Sequence, residues 1–397
     1  MQIFQVNHPR SLTQLMRDIK VDPYGIKIMV PKAVSHLVRL RSISNIAANI
    51  LKQEMLSLGG DAAVGRDALT GKARKTDCLL IGNLSQFNRL NTKLSAQPFG
   101  LDGLVKTLAH NLKQYQRDTF VLALGRHKLN LRTRTHIMGV VNVTPDSFSG
   151  DGLYQQPLSA IIAHARSLVA DGADIIDIGG QSSRPGAKAV SLKEEIKRVI
   201  PVVDKLARTV DLPLSIDTAK PEVARLALAH GASLINDITG LRNPAMPRIA
   251  ARYKAGVVIM HMKGSPRTMQ DNPTYECLIG EIIGYLEKAI AQAVSQGVDR
   301  EKIIVDPGIG FGKTVEHNIE LLRRLEEFKV LGRPIMVGPS RKSFIGKILD
   351  IKDPQERLFG TVAACVAASR NGARIVRVHD VKAVRQGLRV LDRVQNT

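Results

Sequence analysis

Cysteine is scarce: Cys78, Cys277 and Cys365 are the three in 397 residues, far apart and in no CxxC pair. That spacing argues against a disulfide framework or a zinc site and leads us to expect a reducing, cytoplasmic compartment. Long apolar runs are missing too. Stretches such as AGVVIM (255–260) fall far short of the ~20 residues that cross a bilayer, so no membrane span is expected. The opening MQIFQVNHPRSL lacks a charged start followed by an apolar core and a small-residue cleavage site, so no secretory signal is expected either. Acidic residues are in deficit, with 57 Lys and Arg against 36 Asp and Glu and a net charge of +21. The imbalance is uneven, because residues 1–130 hold 19 basic against 8 acidic side chains. No nucleic-acid motif accompanies this charge; the expectation is a solvated basic surface that attracts anions rather than a nucleic-acid site.

From residue 131 onward, short runs rich in Val and Ile alternate with longer amphipathic stretches. The runs are HIMGVVNV (136–143), ADIIDIGG (173–180), PLSID (213–217), SLINDIT (233–239), GVVIMHM (256–262), IIVDPG (303–308), PIMVGP (334–339) and RIVRVHD (374–380). Each is too short for a helix and reads as a strand buried on both faces. Between them lie helical patterns such as 158–172 and 191–209, with Gly172 and Gly231 as stop signals. Eight β-then-α units match a closed (β/α)8 TIM barrel in count and length. An open doubly wound sheet would carry a glycine-rich dinucleotide loop after its first strand, which is absent.

A β-hairpin about Gly125 is expected over FVLALGRHKLNLR (120–132), closing the bottom of the barrel. Residues 1–118 read as a separate small, basic α/β unit, and 119–397 as the barrel with its hairpin. In the first unit, IKIMVP (26–31) and DCLLIG (77–82) read as strands, 33–60 as a helix with a glycine stop, and ALTGKARK (68–75) as an exposed loop.

Functional residues of such barrels gather at the C-terminal ends of the strands. Here those ends carry Asn142, Gln181, Ser182, Asp217, Asn236, Asp237, His261, Asp306, Lys342, Arg377 and His379. They sort by chemistry. Asp217, Asn236 and Asp306 are acceptors suited to a flat heterocycle with N–H and amino donors. Arg377 and His379, with Asn142 and the SSRPG turn, suit phosphate oxygens. At i and i+2 on a strand, Arg377 and His379 point to one face. Several of these positions have simpler readings. Asp217 could cap the next helix, Asn236 and Asp306 could form turns, Lys342 could lie at the surface, Arg377 could pair with Asp380, and His261 could be a satisfied barrel histidine.

The same residues carry a family resemblance. HIMGVVNVTPDSFSGDG (136–152) and GGQSSRPGA (179–187) resemble the two signature loops of the dihydropteroate synthases. SIDT (215–218), INDITG (235–240), VIMHMKGSP (258–266), DPGIGFGK (306–313), GPSRKSFIG (338–346) and IVRVHDV (375–381) resemble the remaining blocks in the same order. The resemblance covers residues 119–397. It implies condensation of a dihydropterin-methyl diphosphate with p-aminobenzoate, releasing diphosphate. It assigns the pterin to Asp217, Asn236, Asp306 and Lys342, with Asp217, Asp306 and Lys342 acting in catalysis. Asn142, Ser182, Arg377 and His379 would hold the diphosphate, and Asn142 would contact a magnesium ion. Phe148, Ser183, Arg184 and Pro185 would line the p-aminobenzoate pocket, and a homodimer through outer barrel helices would be the assembly. Gln181 stands where the family usually has Glu, and Ser183 where it often has Thr. Two other readings compete: a pterin-dependent methyltransferase on the same barrel, which would not need the anion site, and an inactive basic interaction protein acting through its first 118 residues.

Overall fold

A computed structural model of the chain describes residues 1–3, 9–70, 72, 74–95, 97, 100–144, 152–182, 189–265, 268–269 and 272–395. It divides into two compact units, Met1–Lys113 and Gln114–Thr397; the boundary read from sequence, after residue 118, falls just inside the second.

The first unit runs α1 (Pro9–Asp18), α2 (Pro23–Ala33), β1 (Ser35–Ser44), α3 (Asn45–Ser57), β2 (Asp61–Val64), α4 (Arg66–Leu69), β3 (Lys75–Asn83), α5 (Leu84–Leu94) and the start of α6 (Leu101–Tyr115). Its antiparallel sheet has the order β1-β3-β2. Leu51 and Met55 of α3, Phe87 and Leu90 of α5 and Val105 of α6 pack with Leu80 of the sheet to form its core. Two sequence expectations are overturned here. IKIMVP is helical, inside α2, because Asp22 caps the helix by accepting from Tyr24 N at 2.8 Å and Pro23 opens it. The stretch 33–60 is not one helix, because its first half is strand β1. Val38, Leu40 and Ile43 face the core of that strand, and Ser44 then caps α3 by accepting from Ala47 N. DCLLIG lies within β3 as expected. In the expected loop 68–75, Ala68 and Leu69 end α4, Lys75 starts β3, and residues 71 and 73 lie outside the described residues.

The second unit opens with the hairpin β4 (Val121–Leu124) and β5 (His127–Asn130), turning at Gly125 with φ +58°. Then come β6 (His136–Asn142), α7 (Leu158–Ala170), β7 (Ile175–Gly179), α8 (Leu192–Ala207), β8 (Leu214–Asp217), α9 (Pro221–Ala229), β9 (Leu234–Asp237), α10 (Ala245–Arg252), β10 (Gly256–Met260) and α11 (Leu278–Ser295). The unit ends with β11 (Ile303–Asp306), α12 (Val315–Arg323), β12 (Ile335–Val337), α13 (Ser343–Leu349), α14 (Leu358–Arg370), β13 (Ala373–Val378) and α15 (Val381–Gln395). Strands β6 to β13 pair in parallel and close into a barrel, as the eight apolar runs predict. Strand alternation then sets two layers inside it. Met138, Ile175, Leu234, Val258, Ile304, Met336 and Ile375 form a lower apolar layer, and Phe120, Leu122, Leu124 and Leu131 of the hairpin segment pack against it as a plug. Gly256 lets the plug approach β10, since a Cβ there would lie 2.5 Å from Leu124 Cδ2. Leu122 is fully buried in this plug. Leu122→Ala is expected to cost about 2–5 kcal/mol, read as a lower urea midpoint of the barrel transition. Two residues higher, the same inward parity meets polar side chains at Asp177, Asn236, Asp306 and Arg377.

Candidate active site

At the C-terminal end of the barrel the inward positions converge on one pocket. Its lining includes Asn142, Ser182, Asp217, Asn236, Asp306, Lys342, Arg377 and His379. The structure therefore brings together every sequence-predicted site residue that it describes. Phe148, Ser183, Arg184 and Pro185 lie outside the described residues.

Arg377 is the hub. Its Nε donates to Asp177 Oδ2 at 2.6 Å and its Nη2 to Asp217 Oδ2 at 2.7 Å. Asp380, the alternative partner, is instead paired through both oxygens with Arg341, because strand alternation and the turn into α15 carry it away from the barrel interior. Asn236 donates its Nδ2 to Asp177 Oδ2 at 3.0 Å, which leaves its Oδ1 to accept. Asp217 is no helix cap, since Lys220 occupies the N-cap of α9. Asp306 does form a turn, accepting from Gly308 N at 2.7 Å, and also faces the pocket. Lys342 is not a surface lysine. Its Nζ lies 4.0 Å from the Phe311 ring centroid and lines the pocket. Opposite the carboxylates, Asn142 Nδ2 lies 3.4 Å from His379 Nε2, and His379 Nδ1 lies 2.9 Å from Ser340 Oγ. That corner presents amide, imidazole and hydroxyl groups to an anion.

The charges are strongly perturbed. Burial pushes the Asp217 carboxyl up to about 7; Arg377 pulls the other way, and Asp177, Glu195 and Asp237 reinforce the rise. Even so, 16% of its side-chain surface remains open to the pocket. Burial lifts Asp306 to about 6 against the Gly308 N–H and the ammonium groups of Lys342 and Lys313. Burial and the neighbouring Arg377 bring Lys342 down to about 8. Raised carboxyls and a lowered amine in one cleft mark a site built to respond to a charged ligand.

Sequence reasoning missed Asp177. It is fully buried, and its Oδ1 has no hydrogen-bond partner among the described residues. The signal was present: Asp177 shares the parity of Ile175 and Gly179, so a carboxylate two residues before the strand end had to point inward. It missed Lys313 as well, a buried lysine whose Nζ lies 3.1 Å from His261 Nδ1. His261 is thus a packed barrel histidine, held neutral by burial and by that ammonium. Lys263 bonds Thr274 O. Gln181 accepts from Lys220 Nζ at 2.5 Å while Glu195 pairs with the same ammonium, so Lys220 keeps one carboxylate partner where Gln181 replaces the family's usual Glu.

The family model for pterin binding enzymes matches residues 138–379. A dihydropteroate synthase of Synechocystis is 51% identical over 272 residues, 68% of this chain and 94% of that protein. A solved dihydropteroate synthase of Xanthomonas albilineans with 4-aminobenzoic acid superposes with a TM-score of 0.66 at 43% identity, covering 70% of this chain and 99% of that one. A probable bifunctional folylpolyglutamate synthase/dihydropteroate synthase of Halobacterium salinarum is 41% identical over 363 residues; that is 91% of this chain but 43% of the relative. This last match is longer than the barrel unit and takes in much of the N-terminal unit as well. Identity of this order along the whole barrel, on top of a pocket that pairs acceptors with an anion corner, sets aside the methyltransferase and inactive-protein readings: the chain belongs to the dihydropteroate synthases, within the pterin-binding enzyme family.

Proposed function

We propose that the rim residues divide the dihydropteroate synthase reaction between them as follows. Asp306 and Asn236 Oδ1 accept from the pterin N–H and amino donors, with Asp217 beside them and Lys342 flanking the ring. The Asn142–His379 corner, Ser182 and the free edge of Arg377 take the diphosphate. In the chemical step the bond from the methylene carbon to the diphosphate oxygen breaks and its electron pair leaves with the diphosphate. The cation left on the pterin is stabilised by the Asp217 and Asp306 carboxylates, which are already in place. The amine nitrogen of p-aminobenzoate then forms the new C–N bond and gives up a proton. Phe148, Ser183, Arg184 and Pro185 are assigned to the p-aminobenzoate pocket on family resemblance. The observation that carries this reading is Arg377, which touches the acceptor half and borders the anion corner. Purified chain given the pterin diphosphate and p-aminobenzoate should release one diphosphate per dihydropteroate formed, with a sulfonamide competing against p-aminobenzoate. Absence of diphosphate release would sink it.

Magnesium fits the same corner. Among the described residues no three His, Cys, Asp or Glu side chains group as a metal cage. Asn142 offers one amide oxygen, the kind of sparse protein ligation magnesium accepts when waters and phosphate supply the rest. Bound there, the ion would neutralise charge on the departing diphosphate. Asn142→Ala should raise the magnesium concentration needed for half-maximal turnover about tenfold; an unchanged magnesium titration speaks against this site.

A homodimer is part of the proposal. Ile348 and Leu349 of α13, Phe359 of α14 and Val390 of α15 are exposed, Phe359 at 84%. Apolar side chains gathered on consecutive outer helices support an interface there. A cytoplasmic site of action is likewise proposed, supported by the three free thiols. No helix among the described residues is long and apolar enough to cross a membrane.

A further inference from the structure

The loop that follows β11 ends on a buried ammonium that no step above uses. DPGIGFGK (306–313) turns through Gly308, Gly310 and Gly312, all at positive φ, and its end folds back beneath its start. A Cβ on Gly308 would lie 1.9 Å from His261 O and 3.4 Å from Lys313 Nζ, so the bare glycine makes room for both. Lys313 is 3% exposed. Its Nζ donates to Phe311 O at 2.9 Å and lies 3.1 Å from His261 Nδ1. An ammonium has only protons to give, so Nδ1 of the neutral imidazole accepts and the ring proton sits on Nε2. Asp306, Gly310, Phe311 and Lys342 line the pocket here, and Lys313 stands behind them.

The loop does not need this lysine as a staple. Gly308 N donates to Asp306 Oδ1 at 2.7 Å, Gly310 N to Asn318 Oδ1 at 2.7 Å, and Tyr275 Oη to Gly312 O at 2.8 Å. Burying an ammonium is unfavourable, and a neutral donor would serve Phe311 O as well. What the ammonium adds is charge. Both of its hydrogen-bond partners are neutral; the carboxylate whose field stabilises it is Asp306, and Lys342 opposes. Asp306 in turn is faced by the Gly308 N–H and by Lys342, Lys313 and Arg377. Two of those three cations line the pocket, where a diphosphate-bearing substrate competes for them; Lys313 is the one held out of its reach.

We propose that Lys313 is a positioning residue that acts through Asp306: from behind the pocket it gives that carboxylate a counter-charge that the substrate cannot divert. The inference rests on the reading of Asp306 as a pterin acceptor. Burial lifts the Asp306 carboxyl to about 6, and Lys313 works against that rise. Burial brings Lys313 itself down to about 7, so its charge is present through the window in which Asp306 ionises. Without Lys313 the carboxyl needs a higher pH to ionise.

The test compares Lys313→Met and Lys313→Gln with the parent in kcat/KM between about pH 5 and 8.5. In both variants the acid limb should move up by about one pH unit, a loss of about fivefold at pH 6 that closes by about pH 8.5, where Asp306 is ionised either way. Glutamine keeps an N–H for Phe311 O. A staple alone therefore predicts parent behaviour for Lys313→Gln and a loss in Lys313→Met that is the same at every pH, and either result would overturn the proposal. Calorimetry with pterin diphosphate at pH 6 completes a cycle of Lys313→Met, Asp306→Asn and their double variant. The double variant should bind no more weakly than Asp306→Asn, because the lysine acts through that carboxylate; additive losses count against it. If Lys313→Met fails to fold, Lys313→Gln carries both measurements. If Asp306→Asn leaves pterin affinity untouched, the acceptor assignment fails, and the proposal with it. If Asp306→Asn weakens binding while the Lys313 variants keep the parent's acid limb, only the coupling fails.

Discussion

Arg377→Met is expected to lower kcat/KM by about 10³ and to destabilise the barrel by about 3–5 kcal/mol, and the two losses should be separable. The stability loss comes from Asp177. That carboxylate is fully buried and relies on Arg377 Nε and Asn236 Nδ2 for its partners. Removing the guanidinium strands a buried charge, which costs far more than a surface ion pair is worth. The activity loss has another origin, the missing donor for the departing diphosphate. Adding Asp177→Asn to Arg377→Met removes the stranded charge, so the double variant should regain much of its unfolding free energy in urea while staying about 10³ slower in diphosphate release. A double variant that regains activity along with stability would mean that Arg377 acts only as a structural counter-ion.

Asp217→Asn should move activity and stability in opposite directions. The Asp217 carboxyl sits at about 7 in the folded protein, above the ordinary carboxylate range, because burial and the other acids outweigh Arg377. Between about pH 4 and 7 the folded chain therefore holds a proton that the unfolded chain has released, and stability falls as pH rises through that window. Asp306, lifted to about 6, adds a smaller fall of the same sign. An asparagine keeps the neutral form at every pH. Asp217→Asn should thus be more stable than the parent at pH 8, on the order of 2 kcal/mol, and no more stable at pH 4. Its kcat/KM should drop about 10²–10³, since the charge that faces the pterin cation is gone. In the parent, kcat/KM should rise with pH through about 6 to 7 as both carboxyls ionise. Urea unfolding at the two pH values and a pH–rate profile check these signs. A variant less stable than the parent at pH 8 would show that the Arg377 pair outweighs the burial of Asp217.

Much of the barrel could be read from sequence because its strands are buried on both faces. ADIIDIGG and GVVIMHM admit few other structures at that length. The site was legible for the same reason, since strand ends and alternation place Asn142, Asp217, Asn236, Asp306 and Arg377 without further information. Asp177 obeys the same alternation and was passed over because it lies inside a strand rather than at its end. The pairing of Arg377 was less legible. Asp380 is three residues away in sequence, while the true partners are 160 and 200 away and meet it only through barrel closure. Lys220, at the N-cap of α9, meets Glu195 and Gln181 from 25 and 39 residues away, and no local pattern marks it. The N-terminal unit was misread where β1 carries Arg39, Arg41 and several serines. A strand buried on one face and charged on the other resembles an amphipathic helix over so short a span.

The hairpin plug makes the barrel a well with a single mouth. Phe120, Leu122, Leu124 and Leu131 fill its floor, so nothing passes through from below. Two substrates arrive and two products leave by the same opening, and the acceptors proposed for the pterin, Asp217, Asn236 and Asp306, line the pocket beneath it. Whatever binds above them blocks what lies beneath. On the proposed division of roles, traffic through such a well is expected to be sequential, with the pterin diphosphate descending before p-aminobenzoate.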